Sequence, residues 1–340
     1  MSTAETMRAV EVPAAGEPFE LVERPVPEPG PEEVRVAVDA CGICYSDSYV
    51  REGTRPGIEY PRVPGHEIAG RVDAVGERVD AWEAGDRVGV GWHGGHCFTC
   101  DPCRRGDFQG CENGEITGLT FDGGYAEYAT VPAEAVGRIP GGLDDVEAAP
   151  LLCAGITTFN ALRNSGAGPG DLVAVQGVGG LGHLGIQYAR EMGFETVALS
   201  SSPDKEDLAR SLGADRFVDA GEADPAEALA SMGGARVVLA TAPSAEAISE
   251  AVGGLGRNGE VVVVGVPHEP VPVDVAHLVG TRGSVSGWAS GHAKDWEDTL
   301  EFSALRGVTP TVETYPLEAV DEAYGRMRAN EARFRVVLEP

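Results

Sequence analysis

The sequence predicts an α/β chain of two domains, a barrel-like β domain followed by a doubly wound parallel sheet. Three observations carry that expectation. The chain has 340 residues, and roughly 150 residues per domain gives about two. Its first part holds short Val-rich runs set between Gly and Pro. From Asp171 onward, apolar runs of strand length alternate with stretches of helical spacing.

Taken in order, "EEVRVAVDA", "EIAGRVDAVG", "GDRVGVGW" and "GYAEYATVP" read as short strands separated by turn residues. "DLVAVQG" is a buried strand. "GLGHLGIQYAREMG" has helical spacing, with Leu181, Leu184, Ile186, Tyr188 and Ala189, and ends at Gly193. "TVALSS", "RFVDA", "ARVVLATA", "GEVVVVGV" and "GSVSGWA" are strands. "DKEDLARSLG", "DPAEALASMGG" and "SAEAISEAVGGLG" are the helices between them. Such alternation builds a parallel sheet covered on both faces. Two helices, "DWEDTLEFSALRG" and "LEAVDEAYGRMRA", and a terminal strand, "RFRVVLE", close the chain.

Apolar content of 42% and charged content of 24% are ordinary for a globular protein. Apolar runs are strand-sized, against the ~18 residues of a membrane span. The start, "MSTAETMRAVEV", lacks the basic end and apolar run of a signal peptide. A cytoplasmic location is therefore expected, where clustered thiols point to metal or catalysis. The net charge is −28, from 54 acidic and 26 basic residues, and only Lys205 and Lys294 are lysines. Such a surface repels nucleic acid and anionic membranes, so neither is an expected partner, and it admits a small neutral substrate. A GC-rich genome explains the scarcity of lysine. A high-salt cytoplasm explains the acid excess as well, so a halophilic protein is expected.

Four of the seven cysteines lie in "CFTCDPCRRGDFQGC". Cys97, Cys100, Cys103 and Cys111 have the C-x2-C-x2-C-x7-C spacing that closes a tetrahedral shell around a structural zinc. Disulfides between such near neighbours would strain small loops. "GVGGLG" follows a strand and opens a helix, with Gly177, Gly179, Gly180, Leu181 and Gly182 forming a dinucleotide-binding turn. No carboxylate ends the next strand. Ser200, Ser201, Ser202 and Lys205 stand there and favour NADP over NAD, unless Asp204 or Asp207 supplies a late acid. Cys41, His66 and Cys153 are together two thiolates and an imidazole, the three ligands of a catalytic zinc with one position open.

These stretches resemble the zinc-dependent medium-chain alcohol dehydrogenases, nearest the cinnamyl-alcohol-type and bacterial primary-alcohol branches. The resemblance rests on Cys41, "GHE" at 65–67, "GDRV" at 85–88, the four-cysteine lobe and "GGYAEY" at 123–128. It continues through "PLLCAGITT" at 150–158, "GVGGLGHLGIQYA" at 177–189 and "RFRVVL" at 333–338. It implies a GroES-like β-barrel catalytic domain over 1–154 with a zinc lobe at about 92–114, a Rossmann domain over 155–289, and a return to the catalytic domain over 290–340. It implies hydride transfer between an alcohol and NAD(P), two zinc ions per chain, and a homo-oligomer, dimer or tetramer.

By the same resemblance Glu67 is an alternative zinc ligand, Asp47 orients His66, and Ser46 begins a proton relay. Thr157 contacts the nicotinamide and Arg335 the pyrophosphate. Tyr45 stands where many relatives have a relay histidine. A phenol of pKa near ~10 is a poor base at neutral pH, so the relay would end through water or shift to higher pH. Cys44 is left to packing, and His93 and His96 complete no ligand set. Trp92, Leu119 and Trp288 fall near stretches that line the family's substrate pocket. Two rival readings are a zinc-free quinone or enoyl reductase of the same architecture and a non-enzymatic NADP-binding protein.

Overall fold

In a computed structural model that describes residues 5–340, the chain divides into two units, Met1–Ile156 with Gly291–Pro340, and Thr157–Ser290. Among the described residues, no helix is long and apolar enough to cross a membrane.

The first unit is built on the 11-residue strand Glu33–Ile43. It pairs antiparallel with Glu67–Val75, with Tyr128–Pro132, and with the terminal strand Arg335–Glu339. Alternation sends Val34, Val36 and Val38 inward, where they join Ile68, Val88, Val90, Tyr125, Val131, Val336 and Leu338 in one core. The last strand thus lies beside the first long one, with Val336 opposite Ile43 and Leu338 opposite Cys41. That pairing brings residue 335 to the start of the strand that Glu67 opens. Gly42 sits opposite Glu67, and a Cβ there would lie 1.9 Å from the Glu67 Oε2. Glycine is what lets the carboxylate cross the strand.

The second unit is a six-stranded parallel sheet. Numbered from one to six along the chain, its strands are Leu172–Gln176, Glu195–Ser200, Arg216–Asp219, Ala235–Ala240, Leu255–Val263 and Ser284–Gly287. Their spatial order is 3-2-1-4-5-6, the dinucleotide-binding order, with the crevice where the sequence of strands reverses. Strand one is buried at every position, as a sheet covered on both faces requires. Several elements escaped the sequence reading, helix Ile156–Arg163 among them. Helix Val275–Thr281 lies between strands five and six, capped by the Asp274 carboxylate on the amides of Ala276 and His277. None of its residues is buried, so it leaves no apolar periodicity to detect.

Candidate metal and cofactor sites

The first unit gathers two groups of metal-ligating side chains among the described residues. One is Cys97, Cys100, Cys103 and Cys111; the other is Cys44, His66, Glu67 and Cys153. In each, the candidate ligand atoms lie within 4.8 Å of one another.

The second group corrects the sequence reading. Cys41 is in the strand and Cys44 just past its end. An odd separation along a strand turns side chains to opposite faces. The Cys41 thiol is fully buried in the barrel core and points at the Gly42 carbonyl, 3.8 Å away. Gly65 and Gly124 close around it; Cβ atoms there would come within 2.9 and 2.8 Å of its sulfur. Cys44, which the sequence left to packing, caps the short turn Tyr45–Asp47 instead. Its sulfur lies 3.7 Å from that of Cys153, and the His66 Nε2 lies 3.4 Å from the Cys153 sulfur. Donors held at ~2.3 Å (sulfur) and ~2.0 Å (nitrogen) from one tetrahedral centre stand roughly 3.5 to 3.8 Å apart, so the set fits a zinc ion. The Glu67 Oε2 is buried with no hydrogen-bond partner, which fits a neighbouring cation as well. Cys153 rides on a single π-helical turn, Leu151–Gly155, that follows Pro150; such turns widen a helix locally and often carry functional side chains.

Behind the ligands lies a buried network. Asp47, fully buried, holds the His66 Nδ1 at 3.1 Å and accepts from the Cys44 amide at 2.8 Å and the Tyr125 hydroxyl at 2.8 Å. With Nδ1–H donated to Asp47, the Nε2 lone pair faces the cluster. Tyr125 had no signal in the sequence, since its role depends on a contact 78 residues away. Burial pushes the Glu67 carboxyl up to about 7, against the pull of the Arg335 guanidinium. Arg335 is itself buried, ion-paired with Glu67, and donates to the Ile43 carbonyl at 3.3 Å. Tyr45 is half exposed beneath the Arg328 guanidinium, 4.6 Å from its ring centre, and Ser46 is partly buried.

In the four-cysteine lobe, sulfur separations are 3.6 Å for Cys97 and Cys111 and 3.8 Å for Cys100 and Cys111, again tetrahedral edges. Backbone amides aim inward: Cys100 donates to the Cys97 sulfur, and Cys97 and Asn113 donate to the Cys111 sulfur. Hydrogen bonds from the Thr99 and Asn113 side chains draw the Cys97 thiol down to about 5, toward the thiolate that a metal needs. All seven cysteines are free of disulfides.

In the second unit, Gly177 has a φ of +92°, and a Cβ on Gly182 would lie 1.8 Å from the Gly177 carbonyl oxygen. A Cβ on Gly179 would meet nothing within 4 Å, the open space a pyrophosphate needs. Gly180 and Leu181 complete the turn before the helix Gly182–Glu191. Lys205 donates to the Val178 carbonyl at 3.0 Å, tying the loop after strand two to this turn. Ser200 ends that strand buried, Ser201 is exposed, and the Ser202 amide donates to the Ser200 hydroxyl at 3.2 Å. Thr157, also buried, opens the unit.

Two family models match the chain: "Alcohol dehydrogenase GroES-like domain" over residues 30–141 and "Zinc-binding dehydrogenase" over 180–304. An alcohol dehydrogenase of Aspergillus sp. (strain MF297-2) is 43% identical over 99% of both chains. The solved cinnamyl alcohol dehydrogenase of Sorghum bicolor superposes with a TM-score of 0.90 at 31% identity, covering 98% of each chain. A Helicobacter pylori structure titled as a CAD complexed with NADP(H) matches with a TM-score of 0.87 at 27% identity, also over 98% of each. None of these matches favours a zinc-free reductase. Full-length similarity and a set of thiol and imidazole donors brought together in the first unit lead to one conclusion: the chain belongs to the zinc-dependent medium-chain alcohol dehydrogenases, GroES-like and Rossmann in fold, and is an oxidoreductase that interconverts an alcohol with an aldehyde or ketone through a nicotinamide cofactor.

Proposed function

We propose that Cys44, His66 and Cys153 hold a catalytic zinc, that the four-cysteine lobe holds a structural one, and that NADP(H) is the preferred cofactor. The observation that carries the first assignment is the meeting of two sulfurs and an imidazole nitrogen at 3.7 and 3.4 Å. When bound, the zinc polarises the substrate oxygen and the nicotinamide exchanges hydride with the carbon that bears it.

The rest is done by the chain. Asp47 fixes the His66 tautomer. Arg335 offsets the charge of Glu67, leaving one carboxylate oxygen able to approach the ligand set. Ser46, on the same turn as Cys44, accepts the hydroxyl proton of the alcohol and passes it to water. Tyr45 lies under Arg328 at the exposed side of that turn. Thr157 contacts the nicotinamide.

The NADP preference is supported by strand two ending in Ser200, with Ser201, Ser202 and Lys205 in place of a terminal acid; Asp204 and Asp207 are exposed. The complex of the Helicobacter relative with NADP(H) agrees. A homo-oligomer is supported by strand six, which pairs on one side only and stands with exposed Val275, Val279 and Val285. Free thiols and the acid excess support a cytoplasmic, salt-adapted protein. Elemental analysis of the purified protein tests the metal assignment: two zinc per chain are expected, and one or none overturns it. A kcat/KM higher with NAD than with NADP overturns the cofactor preference.

A further inference from the structure

We infer that Arg55 is a substrate-recognition residue that selects alcohols and aldehydes carrying a carboxylate a few carbon atoms from the reacting oxygen. The inference rests on the dehydrogenase reading of the Cys44, His66 and Cys153 site.

Trp92 sets its ring edge-on against His66, with centroids 4.9 Å apart and planes at 87°. Tyr49 meets Trp92 in turn at 6.4 Å and 67°. The Arg55 guanidinium carbon lies 5.7 Å from the Trp92 ring centre and 6.0 Å from that of Tyr49. An aromatic wall therefore runs from the ligand His66 to a cation. Contact with a ring engages the face of a guanidinium and leaves its N–H donors in the plane.

Among the described residues, no carboxylate pairs with those donors. This chain has 54 acidic residues against 26 basic ones, and other arginines of the first unit are paired: Arg51 with Asp321, Arg62 with Asp122, and Arg328 with Glu52. An unpaired arginine two ring contacts from the metal-ligand set is a local positive charge on a strongly negative molecule. The rings suit an apolar body and the guanidinium fork suits a carboxylate, which it can hold by two parallel hydrogen bonds. A neutral alcohol would use only the wall.

The test compares 4-carboxybenzaldehyde with 4-methylbenzaldehyde in steady-state kinetics. Calorimetry adds the binding of the unreactive pair 4-methylbenzoate and 4-methylbenzamide to the cofactor-loaded enzyme. The native protein is expected to favour each anion at least tenfold. Arg55→Gln is expected to cut that preference at least tenfold, through KM rather than kcat, and Arg55→Lys to retain part of it. The inference is overturned if the native protein shows no anion preference, or if Arg55→Gln lowers the charged and neutral members alike or neither. Should the native protein reduce no aldehyde at all, the dehydrogenase reading fails, and the calorimetric arm still decides whether Arg55 binds a carboxylate.

Discussion

Two cysteines three positions apart have opposite fates. Cys41 is sealed in the barrel core, while Cys44 faces the Cys153 sulfur at 3.7 Å. Cys44→Ala is expected to lose one zinc per chain and all turnover, with cofactor binding retained. Cys41→Ala should keep both metals and its activity, and cost about 1–2 kcal/mol of stability through lost packing. Metal analysis with a denaturant titration checks both, and an active Cys44→Ala protein would refute the ligand set. His66 and Cys153 were legible because "GHE" and "CAGIT" each offer a single ligating His or Cys. In "CGICYSD" two thiols compete, and strand geometry has to choose between them. The pairing of Arg335 with Glu67 was illegible for a different reason. It spans 268 residues and depends on the terminal strand lying beside the first long one.

At the scale of the element, most strands and helices of the second unit follow their sequence periodicity, the exposed helix Val275–Thr281 excepted. Strand one is a run of buried apolar residues, and the helix after the glycine turn buries Leu184, Ile186, Tyr188 and Ala189 as its spacing predicted. The four-cysteine lobe adds a polar cluster that spacing does not describe. His93 is buried beside His96 at 3.1 Å. Burial first, then the charges of His96 and His292, lower its pKa from 6.5 to about 4. A histidine with a depressed folded pKa takes up its proton more readily when unfolded. Stability from this group is therefore complete above pH 6.5 and falls as pH drops toward 4, by up to roughly 3 kcal/mol. Urea titrations from pH 7 to 4 should show that slope, and His93→Gln should flatten it; an unchanged slope would mean His93 does not carry the effect.

For the whole molecule, charge is the property that no local contact explains. The ion pairs are mostly exposed, and such pairs contribute about 0–1 kcal/mol each. The acid excess leaves many carboxylates repelling one another at net −28. Salt should screen that repulsion more than it weakens the pairs. The melting temperature is expected to rise by several degrees between ~0.1 M and molar KCl, with activity rising alongside it; highest stability and activity in dilute buffer would reject salt adaptation. The sequence by itself determined the parallel sheet, the glycine turn, the four-thiolate lobe and the chemistry of the ligand set, because each is written in residues close along the chain or in a periodicity. Only the tertiary structure decided that Cys44 rather than Cys41 meets His66 and Cys153, that Tyr125 steadies Asp47, and that Arg335 is spent on Glu67. Those choices depend on which face of a strand a side chain takes and on which distant strand lies next to it, and neither is set by neighbours in sequence.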